Sequence, residues 1–192
     1  MSAPRTATTH NTVLIAVFAA FIAALGIVPP ITIGVIPVPI TLQTLGVMLA
    51  GALLGAKRGM LSALIVVGLA AAGLPILSGG RGGFGVLTGP SGGYLVGWIF
   101  GAFVIGLLVQ RWAIRQSSPA LRYLCVGAST IIGGIGVIYA FGIPWTSVST
   151  GLSLRTSFVG SLTFIPGDLI KAVVATLIAV RIHGSYRRLL DA

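Results

Sequence analysis

Two side chains of opposite charge stand three residues apart in FIPGDLIKA, residues 164–172: Asp168 and Lys171. The chain has only two acidic residues in 192, and the other, Asp191, lies near its end. The residues around the pair are apolar, so both charges fall where charge is costly. A lysine at mid-bilayer costs about 2.5–3.5 kcal/mol on insertion scales, and less toward the interface. Pro166 suits the first position of a helix, and Gly167 lets the chain bend there. A helix starting there puts Asp168 in its first turn and Lys171 one turn deeper on the same face. The helix dipole favours the acid at that end and disfavours the lysine. Two readings follow. In the first, the pair neutralises itself and is structural. In the second, it meets a ligand with an anionic end and hydrogen-bond donors, Lys171 facing the anion and Asp168 accepting from N–H groups. The two coexist if the pair closes on itself between ligands.

Three other stretches could do chemistry. GGRGGFGVLTGPSGG, residues 79–93, contains GRGGFG at 80–85, a letter-for-letter match to the dinucleotide-binding G-x-G-x-x-G. That fingerprint needs a strand before it and a helix after it in a βαβ unit, and this stretch joins two apolar runs. No G-x-x-x-x-G-K-[ST] occurs, so the chain carries no ATP-hydrolysing P-loop. The glycines, Gly83 among them, still permit positive φ and close backbone approach to a ligand. Arg81 is a candidate anion contact, Phe84 and Tyr94 are candidate apolar walls, and Phe84, Val86 and Leu87 suggest a loop that packs. In PVPITLQTLG, residues 37–46, Gln43 and Thr44 fall early in an apolar run. A buried Gln must find partners, either in neighbouring helices or in a ligand. AVFAAFIAA, residues 16–24, holds two rows of small residues at spacing four, Ala16, Ala20 and Ala24 in one and Ala19 and Ala23 in the other. Such rows let another backbone approach closely, within the molecule or from a separate membrane subunit.

The elements that must position these residues are membrane helices. Hydrophobic residues make up 56% of the chain and charged residues 7%, with a mean hydropathy of +1.07. A soluble domain carries about 25% charged residues. Six apolar runs are expected as spans, at about 12–28, 39–56, 59–74, 93–112, 120–142 and 160–182. The first follows a short polar start, MSAPRTATTHNT, and is expected to be retained rather than cleaved. The net charge of +10 is not a nucleic-acid stripe. Arg5, Lys57, Arg58, Arg111, Arg115, Arg122, Arg181, Arg187 and Arg188 fall on one side of the six-span arrangement, against Arg81 and Arg155 on the other. The positive-inside rule then places both termini in the cytoplasm. The segments on the opposite side differ from ordinary loops. PPITIGVIPVPI is stiff and uncharged, and is expected to pack back on the helix ends with the 79–93 stretch. IPWTSVSTGLSLRTSF is expected as the third outer connection.

With these pieces placed, the chain resembles the BioY family, the biotin-specific substrate-binding (S) subunits of energy-coupling factor (ECF) transporters, a branch of ABC importers. The resemblance rests on the alanine-rich first span, PVPITLQTLGVMLAGALLG, GLPILSGGRGGFGVLTGPSGGYLVG and FIPGDLIKA, in that order over almost the whole chain. It implies a six-helix S-component fold in one integral-membrane domain, residues 1–192, in the prokaryotic cell membrane. It implies that Ala16 and Ala20 dock to a transmembrane coupling subunit driven by two cytoplasmic ATPases. Biotin, with its carboxylate, its ureido ring and its sulfur ring, would then meet Lys171, Asp168, Arg81, Gln43, Gly83, Phe84 and Tyr94.

Rival classes fare worse on the residue inventory. A proton-coupled secondary transporter would work through Asp168, but no internal repeat joins residues 1–95 and 96–192. An enzyme would need a nucleophile, an acid–base pair or metal ligands. Two acids, one cysteine and two peripheral histidines, His10 and His183, do not supply them. No cofactor is implied. A channel would show a filter-like loop with oligomer symmetry, which the 79–93 stretch does not suggest.

Overall fold

The structure is a computed structural model that describes residues 4–185, with side chains from residue 9 onward. Arg187, Arg188 and Asp191 lie outside the described residues, as does the Arg5 side chain. In chain order the helices are α1 (Pro4–Ala24), α2 (Gln43–Leu54), α3 (Ala56–Ala71), α4 (Gly85–Thr88), α5 (Gly92–Leu108), α6 (Pro119–Ile131), α7 (Ile138–Thr150), α8 (Leu154–Ser161) and α9 (Ile165–Ser185). Short 3₁₀ or π turns extend α1 and α5, join α6 to α7 and join α8 to α9. Helix is what apolar runs must form in lipid, where every backbone N–H and C=O has to be satisfied within the segment.

Among the described residues, four continuous helical segments are long and apolar enough to cross a membrane: Thr9–Ile27, Gly92–Ala113, Pro119–Thr150 and Leu154–Ser185. They overlap the runs expected at 12–28, 93–112, 120–142 and 160–182, and the last two extend beyond those bounds, to Thr150 at one end and from Leu154 at the other. The runs expected at 39–56 and 59–74 are helical but shorter, as α2 has 12 residues and α3 has 16. At 1.5 Å per residue these are roughly 18 and 24 Å long, below the ~30 Å hydrocarbon core. The connection expected across residues 143–158 is mostly helix. α7 runs on through Pro144 to Thr150, and α8 begins at Leu154 after only three residues. Proline is tolerated inside a membrane helix because neighbouring groups and local adjustments satisfy the freed carbonyl.

α2 lies at the centre, with eleven of its twelve residues buried. α1, α3, α5 and α9 pack on it, and α6 touches it more lightly. Gly55 makes the turn from α2 to α3 at φ 83°, where a side chain would be strained. Arg58, expected as an orientation charge, is buried at this end of the bundle. It donates to the Leu54 carbonyl (2.9 Å) and to Asn11 Oδ1 (3.0 Å), tying α3 to α1 and α2.

At the opposite end the connections fold inward. Ile31 and Ile40 exchange backbone hydrogen bonds of 3.0 and 2.8 Å, which bends residues 28–42 into a hairpin whose Ile36 and Val38 are buried. In the glycine-rich stretch, Leu77 and Arg81 exchange backbone bonds of 3.1 Å, and Gly83 N donates to the Ala70 carbonyl (2.7 Å). α7 clamps its far end, with Trp145 Nε1 donating to Gly89 O (2.9 Å) and Thr146 Oγ1 to Pro90 O (3.0 Å). Both stretches pack back as the sequence leads one to expect.

Candidate binding site

Helix α9 starts where FIPGDLIKA places it, with Asp168 in its first turn and Lys171 one turn further in. Both are buried, at 4% and 8% exposure. Lys171 Nζ lies 2.8 Å from Asp168 Oδ1. It also donates to the Thr41 carbonyl at 2.7 Å and to Thr44 Oγ1 at 3.3 Å. All three ammonium protons are therefore placed. The second carboxylate oxygen, Asp168 Oδ2, accepts from Tyr139 Oη at 2.8 Å. The result is a buried chain, Tyr139–Asp168–Lys171–Thr41/Thr44, held by α7, α9 and the start of α2. This matching is what makes a buried charge pair tolerable, since each desolvated lone pair and proton needs its own partner.

The network lines a cavity of about 50 Å³. Arg81 and Ser91 line it from the glycine-rich stretch, and Tyr94, Tyr139, Phe164 and Trp98 supply aromatic walls. The rings of Tyr94, Tyr139 and Phe164 meet edge to face, with centroids 6.0 to 6.4 Å apart. Tyr94 Oη lies 2.7 Å from Ser161 Oγ. Gly142 seats the Tyr94 ring, because a Cβ there would overlap it. Arg81 is half-buried and held in place, Nε donating to the Ser78 carbonyl (3.1 Å) and Nη1 to Ser91 Oγ (3.1 Å). Burial lowers its pKa from the ordinary arginine value, yet an arginine stays charged in a protein.

The residues singled out by sequence separate into two groups. Lys171, Asp168, Arg81, Gln43 and Tyr94 line the one cavity, while Gly83 and Phe84 do not. Phe84 is 69% exposed. Gln43 lines the cavity with its polar atoms committed elsewhere. Its Nε2 donates to Ile22 O (3.1 Å) and Ile76 O (3.0 Å), and its Oε1 accepts from Ser78 N (3.0 Å). It is a clamp that fixes the stretch carrying Arg81 against α1 and α2. Sequence reasoning missed Tyr139, Thr41, Ser91 and Trp98. A lone tyrosine in the apolar run GVIYAFG was the available signal, since a buried phenol seeks a partner. Of the two alanine rows on α1, Ala16, Ala20 and Ala24 face outward, and Ala19 is buried against the bundle. Among the described residues no group of three His, Cys, Asp or Glu side chains comes together to hold a metal.

A cavity with a buried ammonium, a carboxylate, a fixed guanidinium and aromatic walls suits a small ligand with polar ends and an apolar body. The model of the BioY family matches residues 1–188 of this sequence. The chain belongs to the BioY family. Among its relatives in that family, the biotin transporter BioY of Rhizobium etli is 52% identical over 178 residues, covering 93% of this chain and 95% of that one. The Rhodobacter capsulatus biotin transporter BioY is 48% identical over 187 residues, again 93% and 95% of the two chains. A crystal structure of the S-component for biotin from an ECF-type ABC transporter superposes with a TM-score of 0.85 at 37% identity, over 96% of this chain and 95% of that one. The fold is therefore an S-component fold, and the family is one of membrane transporters rather than enzymes.

Proposed function

We propose that this BioY-family chain is the substrate-binding subunit of an ECF-type importer and captures biotin in the cavity between α2, α5, α7 and α9. The observation that carries the reading is the Lys171 ammonium, buried in an apolar bundle and turned toward that cavity by three hydrogen bonds. A ligand carboxylate competes for this ammonium or for Arg81. The ureido N–H groups take Asp168 as acceptor. Tyr94, Tyr139, Phe164 and Trp98 flank the apolar rings. A cavity of about 50 Å³ has room for a few waters, so capture requires the lining to give way and the Asp168–Lys171 pair to exchange partners. A site of matched buried polar groups discriminates strongly against analogues that lack those partners.

On this reading residues 1–192 form one integral-membrane domain in the prokaryotic cell membrane, with six helices in the S-component arrangement and both termini in the cytoplasm. Arg81, Arg155 and the cavity then lie at the outer face. Its partners are a transmembrane coupling subunit and two cytoplasmic ATPases. The outward row of Ala16 and Ala20 supports a docking face on α1, because small residues admit a second helix closely. No cofactor belongs to the proposal.

The test begins with the purified protein, extracted and analysed by mass spectrometry for the small molecule it carries. Titrations with biotin, biotin methyl ester and desthiobiotin follow. Lys171→Ala should weaken biotin binding and narrow its advantage over the ester; binding at wild-type strength would remove Lys171 from the site. Uptake into vesicles without ATPase subunits, abolished by collapsing the proton gradient, would favour a proton-coupled secondary transporter instead.

A further inference from the structure

A second concavity lies behind the cavity wall. Between α7 and the α8–α9 segment runs an apolar groove of about 730 Å³. Gly136, Ala140 and Ile143 form one flank, and Phe158, Leu162 and Ile165 the other. Its inner wall is Tyr139, which also lines the cavity. Both flanks belong to segments long and apolar enough to lie in a bilayer. From Ile135 to Pro144 the groove follows ten residues of helix, nine rises of 1.5 Å or roughly 13 Å. One leaflet of hydrocarbon is about 15 Å thick, half of the ~30 Å core. The groove is therefore about as long as an acyl chain buried in one leaflet.

Its mouth carries charge. Arg155, in the first turn of α8, lines the groove and is exposed. Among the described residues it makes no hydrogen bond or ion pair. It shares its end of the bundle with one other arginine, Arg81, which is turned inward onto Ser78 and Ser91. A membrane-depth apolar slot capped by one uncommitted guanidinium has the polarity of a single lipid: hydrocarbon below, phosphate above.

We propose that this groove is a binding site for one anionic phospholipid, with an acyl chain along α7 behind Tyr139 and the headgroup phosphate on Arg155. The site is separate from the cavity, and its test does not depend on what the cavity binds. The protein in detergent is exchanged against phosphatidylglycerol or phosphatidylcholine, and bound lipid is counted by native mass spectrometry. Arg155→Gln should weaken phosphatidylglycerol by about fivefold, the value of one basic residue near a charged lipid surface, and weaken phosphatidylcholine less, because its choline cation offsets the charge of its phosphate. Gly136→Phe should block the groove without disturbing the helix, since the nearest atom to an added Cβ is Ile131 O at 4.0 Å. Ala140→Phe is an independent block if the first variant fails to fold. Loss of both lipids in the blocked variants, with headgroup preference lost in Arg155→Gln, supports the assignment. Three results overturn it: lipid retained in both blocked variants, free glycerol phosphate competing as well as the lipid, or a dimer in place of bound lipid that the blocking variants dissociate.

Discussion

Replacing Lys171 with methionine removes the centre of the buried network. Asp168 Oδ1 then loses its partner at 2.8 Å and the Thr41 carbonyl its donor at 2.7 Å. Asp168 keeps only the Tyr139 hydroxyl. Breaking a buried ion pair from one side costs about 3–5 kcal/mol, because a desolvated charge is left without compensation. The double variant Asp168→Asn/Lys171→Met removes both charges. An asparagine oxygen at 168 can still accept from Tyr139, and replacing a whole buried pair by uncharged groups is often neutral. Unfolding of the purified protein should therefore place the single variant well below wild type, and the double variant within about 1 kcal/mol of it. Ligand binding should follow a different order. Each charge-assisted hydrogen bond lost is worth about 1.5–3 kcal/mol, or about 10–150-fold in affinity, so biotin binding by calorimetry should fall in both variants and should not return in the double. Stability restored with binding still lost separates a ligand site from a purely structural pair. A double variant as unstable as the single would refute the matched-pair argument. A double variant that binds biotin normally would refute the role of the pair in binding.

Three other outcomes follow from the packing. Gln43→Leu removes three hydrogen bonds. At about 1–3 kcal/mol for each buried group left unpaired, it should lower stability by about 3 kcal/mol or more, read from thermal unfolding. It should also loosen ligand binding by freeing the Arg81 stretch. Gly142→Ala drives a methyl into the Tyr94 ring; overpacking of this kind costs about 1–3 kcal/mol, and the same melt should report it, with Gly136→Ala as a control that should not destabilise, because the nearest atom to an added Cβ there is Ile131 O at 4.0 Å. Ala20→Leu, on the outward face of α1, should leave biotin titrations unchanged and reduce co-purification with the proposed transmembrane coupling subunit; unchanged co-purification would remove that face from the proposed docking surface.

The sequence by itself determined the membrane class, the approximate places of the helices, and the start of α9 with an acid and a lysine one turn apart. These are local properties, carried by composition, by apolar run length and by a proline–glycine punctuation within a few residues. The tertiary structure alone decided what those charges touch. The Asp168 partner Tyr139 is 29 residues away, and the Lys171 partner Thr41 is 130 away. It turned Gln43 onto backbone groups 21 to 35 residues distant, sent Phe84 to the surface, and chose the Ala16/Ala20 row rather than Ala19 for the outside. Each of these depends on how one helix is rotated against another. That rotation is set by the summed packing of many side chains and by glycines such as Gly142 that admit a neighbouring ring, and no single segment contains it.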